Sequence, residues 1–210
     1  MRTTFLIDGF NFYHSVKKLS PRYKWIDYHA YCSHFLVKND TLQDIFYFTA
    51  KAFWRPHSMY RHEIFIEATQ SRGVKIVYGK FKEKDLYCPS DYKCDPSGCT
   101  GCPQQFKRHE EKATDVNIAL YSYHLAHKDA YDKIIIVSGD TDLVPAIEMV
   151  RQEFPHKIVG VLYPLGRANN ELRQVANFVS KTKMKHLDAF QLPDQVQLPD
   201  KLLYRPHEWT

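Results

Sequence analysis

Short apolar runs alternate along this chain with longer segments in which apolar residues recur every three or four positions. The clearest run covers residues 134–137, Ile-Ile-Ile-Val, and β-branched runs of this kind are typical of a buried strand. A polar turn follows, and a helical pattern then begins at Leu143, with Pro145 in its first turn, where proline is tolerated. We therefore predict a strand, a tight turn and a helix in this order.

The same alternation runs through the rest of the chain. Further strands are predicted at residues 3–7, 43–52, 74–81 and 157–163, with a last short strand at 185–187. Helices are predicted from the end of the first strand to about residue 18, and at residues 28–37, 56–73, 110–127 and 169–178. Because strands alternate with helices, we expect an α/β fold with a parallel sheet of about five strands, covered by helices on both faces.

Two of the predicted strands end in the same way, with an acid next to a glycine. Asp8 follows the first strand, and Asp140 and Asp142 follow the central one. Parallel strands end at one edge of a sheet, where α/β proteins bind ligands, so we expect the two strands to be adjacent and their acids to share a site. Helix capping would explain one of the two later acids, and turn formation could explain Asp8 taken alone.

A fourth carboxylate is expected from the helix predicted at residues 110–127. Counting back three and four residues from Ile118 and Ala119 on its apolar stripe leads to Asp115. A carboxylate on a buried stripe is costly unless a cation or hydrogen-bond donors meet it. The alternative is that Asp115 accepts local amide hydrogen bonds as a second cap.

Four carboxylates in one place repel each other strongly unless a cation joins them. Oxygen ligands suit Mg²⁺ or Mn²⁺ rather than zinc, and such a metal can activate water and stabilise the charge of a displacement at phosphorus. The residues predicted to form this catalytic metal site are Asp8, Asp115, Asp140 and Asp142. Asn11 is placed to orient a water or a phosphate oxygen.

The segment at residues 84–105 breaks the pattern, because it is rich in Pro and Gly and has too little apolar content to fold by burial alone. It carries four cysteines that could hold a structural Zn²⁺ ion: Cys88, Cys94, Cys99 and Cys102. The last two have the usual C-x-x-C spacing, whereas the first two are more widely spaced. Free or redox-active thiols and disulfides are the alternatives, and His109 could replace one cysteine. The fifth cysteine, Cys32, is expected to pack in the core.

Composition and charge limit the number of domains, the kinds of partner and the location that we expect for this protein. The chain has 210 residues, enough for one good core, and a formal net charge of +5, which suits a polyanionic partner without requiring one. No apolar run approaches the ~18 residues of a membrane span, and the amino terminus lacks the features of a signal peptide. We therefore expect no membrane partner and a cytoplasmic location.

Three segments resemble the signature segments of a known family, the bacterial NYN domain (LabA-like), a branch of the PIN-like ribonucleases. They are LIDGFNFYHS, EEKATDVNIAL and VSGDTDLVPAI, and the similarity extends to the cysteine insertion and to the QLPD…RPHEW tail. Thr141 stands where serine is common in the family, which keeps the hydroxyl. The resemblance implies a Rossmann-like PIN fold at residues 1–190, with the zinc insertion at 84–105 and an extended carboxyl-terminal arm at 191–210.

The resemblance also implies metal-dependent cleavage of RNA, with the four acids named above as catalytic ligands and Asn11 as a supporting residue. We therefore expect an Mg²⁺- or Mn²⁺-dependent endoribonuclease, and a homodimer is compatible with the sequence. Four basic residues close to the predicted site loops are expected to position the RNA backbone, although solvated surface charge is the alternative: Lys51, Arg55, Lys112 and Arg167. The alternative function is an RNA-binding or regulatory scaffold that keeps the fold without efficient catalysis.

Overall fold

The computed structural model describes residues 1–87 and 105–210. The four cysteines predicted to bind zinc, Cys88, Cys94, Cys99 and Cys102, lie outside the described residues. Cys32 lies within them as a free, fully buried thiol, as expected for a small core residue. No helix in the described ranges is long and apolar enough to cross a membrane.

A sheet of six parallel strands forms the centre of the molecule. Its strands are β1 (Arg2–Asp8), β2 (Thr41–Thr49), β3 (Lys75–Tyr78), β6 (Lys133–Val137), β7 (Ile158–Tyr163) and β8 (Phe178–Lys181). The spatial order is β3-β2-β1-β6-β7-β8, so the chain builds outward from β1 on one side and from β6 on the other. The predicted parallel α/β sheet and the adjacency of β1 and β6 are therefore confirmed, with one strand more than expected.

Helices cover both faces of this sheet. They are α1 (Gly9–Val16), α2 (Tyr28–His34), α3 (Pro56–Ser71), α4 (Thr114–His127), α5 (Val144–Glu153), α6 (Asn170–Val175) and α7 (Met184–Ala189). Alternate residues of a strand point to opposite faces, so Phe5 and Ile7 of β1 join one apolar cluster and Leu6 joins the other. The first cluster packs against α1, α2 and α3, and the second against α4, α5 and α6.

A hairpin replaces part of two predicted elements. The strand predicted at residues 74–81 breaks at Gly79, and the chain continues as β4 (Lys80–Tyr87), which pairs antiparallel with β5 (Gln105–Lys112). The helix predicted from residue 110 was therefore wrong in its first turn, since α4 begins only at Thr114. Cross-strand ion pairs hold the charged hairpin together, among them Lys84 Nζ to Glu110 Oε2 at 2.7 Å and Lys107 Nζ to Glu83 Oε1 at 2.5 Å.

The last third of the chain contains two further corrections. The helix predicted at residues 169–178 ends at Val175, and Phe178–Lys181 instead forms the edge strand β8. The strand predicted at residues 185–187 was wrong, because these residues lie inside α7. The tail then forms a small hairpin, β9 (Gln195–Gln197) with β10 (Leu202–Tyr204), and a 3-10 turn at His207–Trp209 that buries Trp209 in the first apolar cluster.

Candidate active site

Asp8 is the most deeply buried acid at the carboxyl edge of the sheet. It is the last residue of β1 and only 2% exposed, and it caps α1 by accepting the Asn11 backbone N–H at 2.9 Å. Its second oxygen accepts the hydroxyl of Ser138, the residue after β6, at 2.8 Å. Both oxygens of Asp8 are therefore held in place, and one of them is tied to the neighbouring strand.

A hydrogen-bond network joins the turn after β1 to the turn after β6. The Asn11 side-chain oxygen accepts the Gly139 N–H at 3.1 Å, and the Ser138 hydroxyl oxygen accepts the Asp140 N–H at 3.1 Å. Position 139 needs glycine because a Cβ there would collide with the backbone and side chain of Arg167. The two turns thus form one rigid unit at the point where the strand order reverses, which is where open α/β sheets bind ligands.

An open cavity of about 340 Å³ lies over this unit. Its lining residues are Asp8, Phe10, Asn11, His14, Glu111, Asp115, Asp140 and Arg167. The acids come from three separate parts of the chain: the end of β1, the β5–α4 region and the turn after β6. We refer to this cavity as the acidic pocket. It brings together five of the residues predicted from sequence, namely Asp8, Asn11, Asp115, Asp140 and Arg167.

Four predicted residues lie elsewhere. Asp142 is exposed and does not line the pocket, although its backbone N–H donates to Asp140 Oδ1 at 3.1 Å. Lys51 is paired with Glu63 at 3.0 Å, and Lys112 is paired with Glu110 at 3.2 Å. Arg55 lines a second cavity next to the acidic pocket.

Burial and mutual repulsion favour the protonated forms of two pocket acids. Burial raises the pKa of Asp8 to about 6, although hydrogen bonds from Asn11 and Ser138 oppose the shift. Burial, followed by the charges of Asp8 and Asp140, raises the pKa of Asp115 to about 7. The pocket therefore carries more negative charge than its surroundings compensate.

These residues fit a divalent cation in kind and in charge. Carboxylate oxygens are the ligands that Mg²⁺ and Mn²⁺ prefer, and a cation would relieve the repulsion that raises both pKa values. Within residues 1–87 and 105–210, however, no three His, Cys, Asp or Glu side chains already stand close enough to form a finished metal site. The pocket thus has suitable donors, and its side chains would have to converge when an ion binds.

Three pocket residues were not predicted from the sequence, the apolar Phe10 and two titratable residues, Glu111 and His14. Glu111 lies on β5 and accepts the Thr114 N–H at 3.1 Å, and it was missed because the helix predicted from residue 110 included it. His14 follows Asn11 by three residues on α1, so helical spacing from Asn11 would have found it. Burial, with the charges of Lys17 and Arg167, lowers the pKa of His14.

Comparison with known proteins decides the family. The model of the NYN domain matches residues 2–184, which is most of the chain. This chain belongs to the NYN domain family. The predicted family is therefore confirmed. The NYN domain is part of the PIN-like fold superfamily, and the fold of the NYN domain is nuclease-like.

Two other proteins are similar to this NYN protein. One is 6-hydroxy-3-succinoylpyridine 3-monooxygenase HspA of Pseudomonas putida, 26% identical over 245 residues that include 100% of this chain and 75% of the relative. The other is a crystal structure of a protein of unknown function from Vibrio parahaemolyticus, with a TM-score of 0.56 and 18% identity, covering 91% of this chain and 96% of that one. The second likeness concerns the fold alone.

Proposed function

We propose that this NYN protein is a metal-dependent endoribonuclease that hydrolyses RNA phosphodiester bonds at the acidic pocket. The observation that carries the proposal is the convergence of Asp8, Asp115 and Asp140, from three distant parts of the chain, on one open pocket at the carboxyl edge of the sheet. Helix capping alone does not require this convergence. A nuclease-like family supports the same function.

The pocket acids are the residues that would hold Mg²⁺ or Mn²⁺, with Glu111 as a further oxygen donor in the same lining. When bound, a divalent cation supplies positive charge that stabilises the anionic phosphate oxygens and makes water a better nucleophile. Asp8 is the most strongly fixed donor, because hydrogen bonds orient both of its oxygens. Asn11 holds the two turns together through its contact with Gly139, so its proposed role is to keep the acids in position.

Two further pocket residues have the chemistry to act on the phosphate. Arg167 is exposed at the pocket and can bind a phosphate oxygen with its guanidinium group. His14 is mostly neutral at pH 7 because its pKa is lowered, so an imidazole nitrogen can accept or pass on a proton there. The chain therefore supplies a cationic group and a proton carrier next to the acids.

The test is cleavage of fluorescently labelled single-stranded RNA by the purified chain with Mg²⁺, with Mn²⁺ and with EDTA. We expect cleavage with a metal, none with EDTA, and loss of cleavage in Asp140→Asn but not in Asp200→Asn, whose exposed side chain lies in the tail. Equal cleavage by Asp140→Asn and the parent would place the activity elsewhere or in a contaminant. RNA that is bound but never cleaved with either metal would favour the scaffold function instead.

A second candidate function follows from the similarity to the monooxygenase HspA, together with the aromatic cavity beside the acidic pocket. Under this alternative the chain would act as a monooxygenase on a substituted pyridine ring, with O₂ and a reductant. The test is incubation with 6-hydroxy-3-succinoylpyridine, a reductant and O₂, followed by mass spectrometry. Product formation that survives Asp140→Asn would favour the monooxygenase and count against the nuclease.

A further inference from the structure

A second cavity, of about 380 Å³, opens beside the acidic pocket. Phe10 and His14 line both cavities, so the two spaces are separated by single side chains. We refer to the second space as the aromatic cavity, because rings form much of its wall. They include Phe12, Tyr28, Tyr47, Trp54, Phe65 and Phe81. Its size is within the ~300–1,000 Å³ that is usual for pockets that bind small molecules.

A series of ring contacts leads from the acidic pocket into this cavity. Phe10 meets Phe81 edge-on with ring centroids 5.4 Å apart, and Phe81 meets Trp54 edge-on at 4.5 Å. Trp54 stacks flat on His109 at 3.7 Å with an angle of 10° between the planes. Phe81 and His109 belong to the β4–β5 hairpin, so this hairpin builds the wall next to both cavities. The edge of the acidic pocket is thus continuous with an aromatic surface.

The two cavities differ sharply in charge. Lys17, Lys24, Arg55 and Arg61 line the aromatic cavity, and no Asp or Glu among the described residues does so. Arg61 is paired with Glu208 at 2.6 Å, and Lys24 lies over the ring of Tyr13. A ligand that fits both spaces therefore has two parts. An anionic group lies in the acidic pocket, where a cation joins it to the acids, and a flat ring lies in the aromatic cavity beside the basic groups.

Polar atoms at the cavity wall can recognise the edge of such a ring. The Thr49 hydroxyl and His62 Nε2 are hydrogen-bonded at 3.2 Å, and both residues line the cavity. Burial lowers the pKa of His62 to about 4, so its ring is neutral at pH 7. Because His62 Nε2 already meets the Thr49 hydroxyl, Nδ1 is the ring nitrogen that the edge of a nucleobase would use.

We propose that the aromatic cavity binds an unstacked nucleobase of the RNA, adjacent to the phosphate that is cleaved at the acidic pocket. The inference rests on the proposed function for the location of the RNA, and it adds a base-binding site to it. Bases stack readily on aromatic side chains, and placing one in a cavity costs least when the strand is already single.

The test compares two adjacent aromatic residues. Trp54 lines the cavity, whereas Phe53 is 71% exposed and does not line it, so Phe53→Ala is the matched control. Binding of a labelled hexaribonucleotide is measured with Ca²⁺ in place of Mg²⁺ or Mn²⁺, so that a cation remains at the acids, and a gel verifies that the RNA stays uncleaved. We expect Trp54→Ala to weaken binding roughly tenfold, which is the scale of one base–aromatic stack. Trp54→Phe keeps an aromatic ring and Phe53→Ala lies outside the cavity, so both should bind the RNA within about twofold of the parent.

An abasic residue placed in turn at each position of the hexamer shows whether a base is bound. We expect one position, next to the cleaved bond, at which removing the base costs the parent roughly tenfold and costs Trp54→Ala nothing further. Tryptophan fluorescence gives a second readout in case the alanine variant folds poorly. RNA should quench the parent, and most of this quenching should be lost in Trp54→Phe, because Trp25 is fully buried and Trp209, which also lines the cavity, is only 9% exposed.

The outcomes separate this inference from the proposed function. If RNA is cleaved but no abasic position matters to the parent, the base site is overturned while the nuclease stands. If RNA is never cleaved but the Trp54-dependent base effect remains, the base site stands without the nuclease. If free nicotinate quenches Trp54 and hexaribonucleotide does not compete with it, the cavity serves a small heterocycle and the proposal is overturned.

Discussion

Asp140 and Asp142 are two residues apart, yet their side chains have different surroundings. Asp140 lines the acidic pocket, whereas Asp142 is exposed outside it. We therefore expect Asp140→Asn to reduce the rate of RNA cleavage at least ~100-fold, the scale of one important electrostatic contact, and Asp142→Asn to reduce it by about tenfold or less. Single-turnover cleavage rates, with circular dichroism as a folding control, measure both. Equal losses in the two variants would mean that the Asp142 side chain turns toward the acidic pocket when the metal ion or the RNA binds.

Asp115 makes the stability of the metal-free protein depend on pH. Its pKa rises from 3.8 in the unfolded chain to about 7 in the fold, so between these values the folded state keeps a proton that the unfolded state has lost. The free energy of unfolding therefore falls as pH rises through this window. Because Asp115 is only partly buried, we expect Asp115→Asn to be more stable than the parent by a modest ~1 kcal/mol at pH 8.

The control for this prediction is the same comparison at acid pH. Below about pH 3 the Asp115 carboxyl is mostly protonated in both the folded and the unfolded chain, so the difference in urea denaturation should largely disappear. Adding Mg²⁺ at pH 8 should stabilise the parent more than Asp115→Asn, because the parent has the carboxylate that a cation compensates. A variant that is less stable than the parent at pH 8 would contradict the repulsion described here.

The nearness of Asp8 and Asp140 could be predicted because each lies at the end of a buried parallel strand, and parallel strands end at one edge of the sheet. That Asp142 does not line the pocket could not be predicted, since the 3-10 turn at Thr141–Leu143 shows in no periodic pattern, although the charge of Asp142 still helps to raise the pKa of Asp115. Asn11 was assigned to water or phosphate, whereas its side chain in the structure binds the Gly139 N–H. A periodic pattern therefore locates a turn better than it locates the atoms on that turn.

The β4–β5 hairpin could not be predicted from the pattern of apolar residues. Its strands, KFKEKDLY and QFKRHEEK, are too charged to show an apolar alternation. Pairing with a strand about twenty-five residues away, including the Glu83–Lys107 and Lys84–Glu110 ion pairs, satisfies the backbone and the charges. A single-sequence pattern contains no information about such a distant partner. The edge strand β8 was missed for a related reason, because only its pairing with β7 defines it.

Trp209 is the largest of the tail side chains that pack into the first apolar cluster, and we expect it to contribute to stability. Trp209 is 9% exposed and packs beside Trp25 and Phe65 with ring centroids 6.3 and 6.1 Å away. We expect Trp209→Ala to lower the free energy of unfolding by about 3 kcal/mol, the usual cost of removing a large core aromatic. Tyr204→Ala, at a 59% exposed position of β10, is the control and should cost far less. Similar urea midpoints for the two variants would contradict this packing.

The fold of the whole molecule was predictable because repeated strand–helix alternation and the order of the acidic turns constrain it jointly. The zinc site remains a prediction, since Cys88, Cys94, Cys99 and Cys102 lie outside the described residues. Elemental analysis of protein purified without a chelator should find about one zinc per chain if four thiolates hold one ion. Absence of zinc, or two disulfides identified by mass spectrometry, would contradict it. Cys32 provides no competing ligand, because it is buried in the core.

The net charge of +5 is modest, so binding of RNA should depend on where the positive charges lie rather than on their sum. Lys17, Lys24 and Arg55 line the aromatic cavity and Arg167 lines the acidic pocket, which gives up to four phosphate contacts near the proposed site. For a single strand, the logarithm of the binding constant should then fall against the logarithm of the salt concentration with a slope of about −3.

Arg55→Gln should reduce the size of this slope by ~0.7, which is the contribution of one phosphate contact. Lys128→Gln is the control, because Lys128 lies at the opposite end of α4 from Asp115, and it should leave the slope unchanged. Titrations of hexaribonucleotide in EDTA at several salt concentrations measure both slopes, and an equal effect of the two substitutions would mean that RNA responds to the overall charge and not to this face of the molecule.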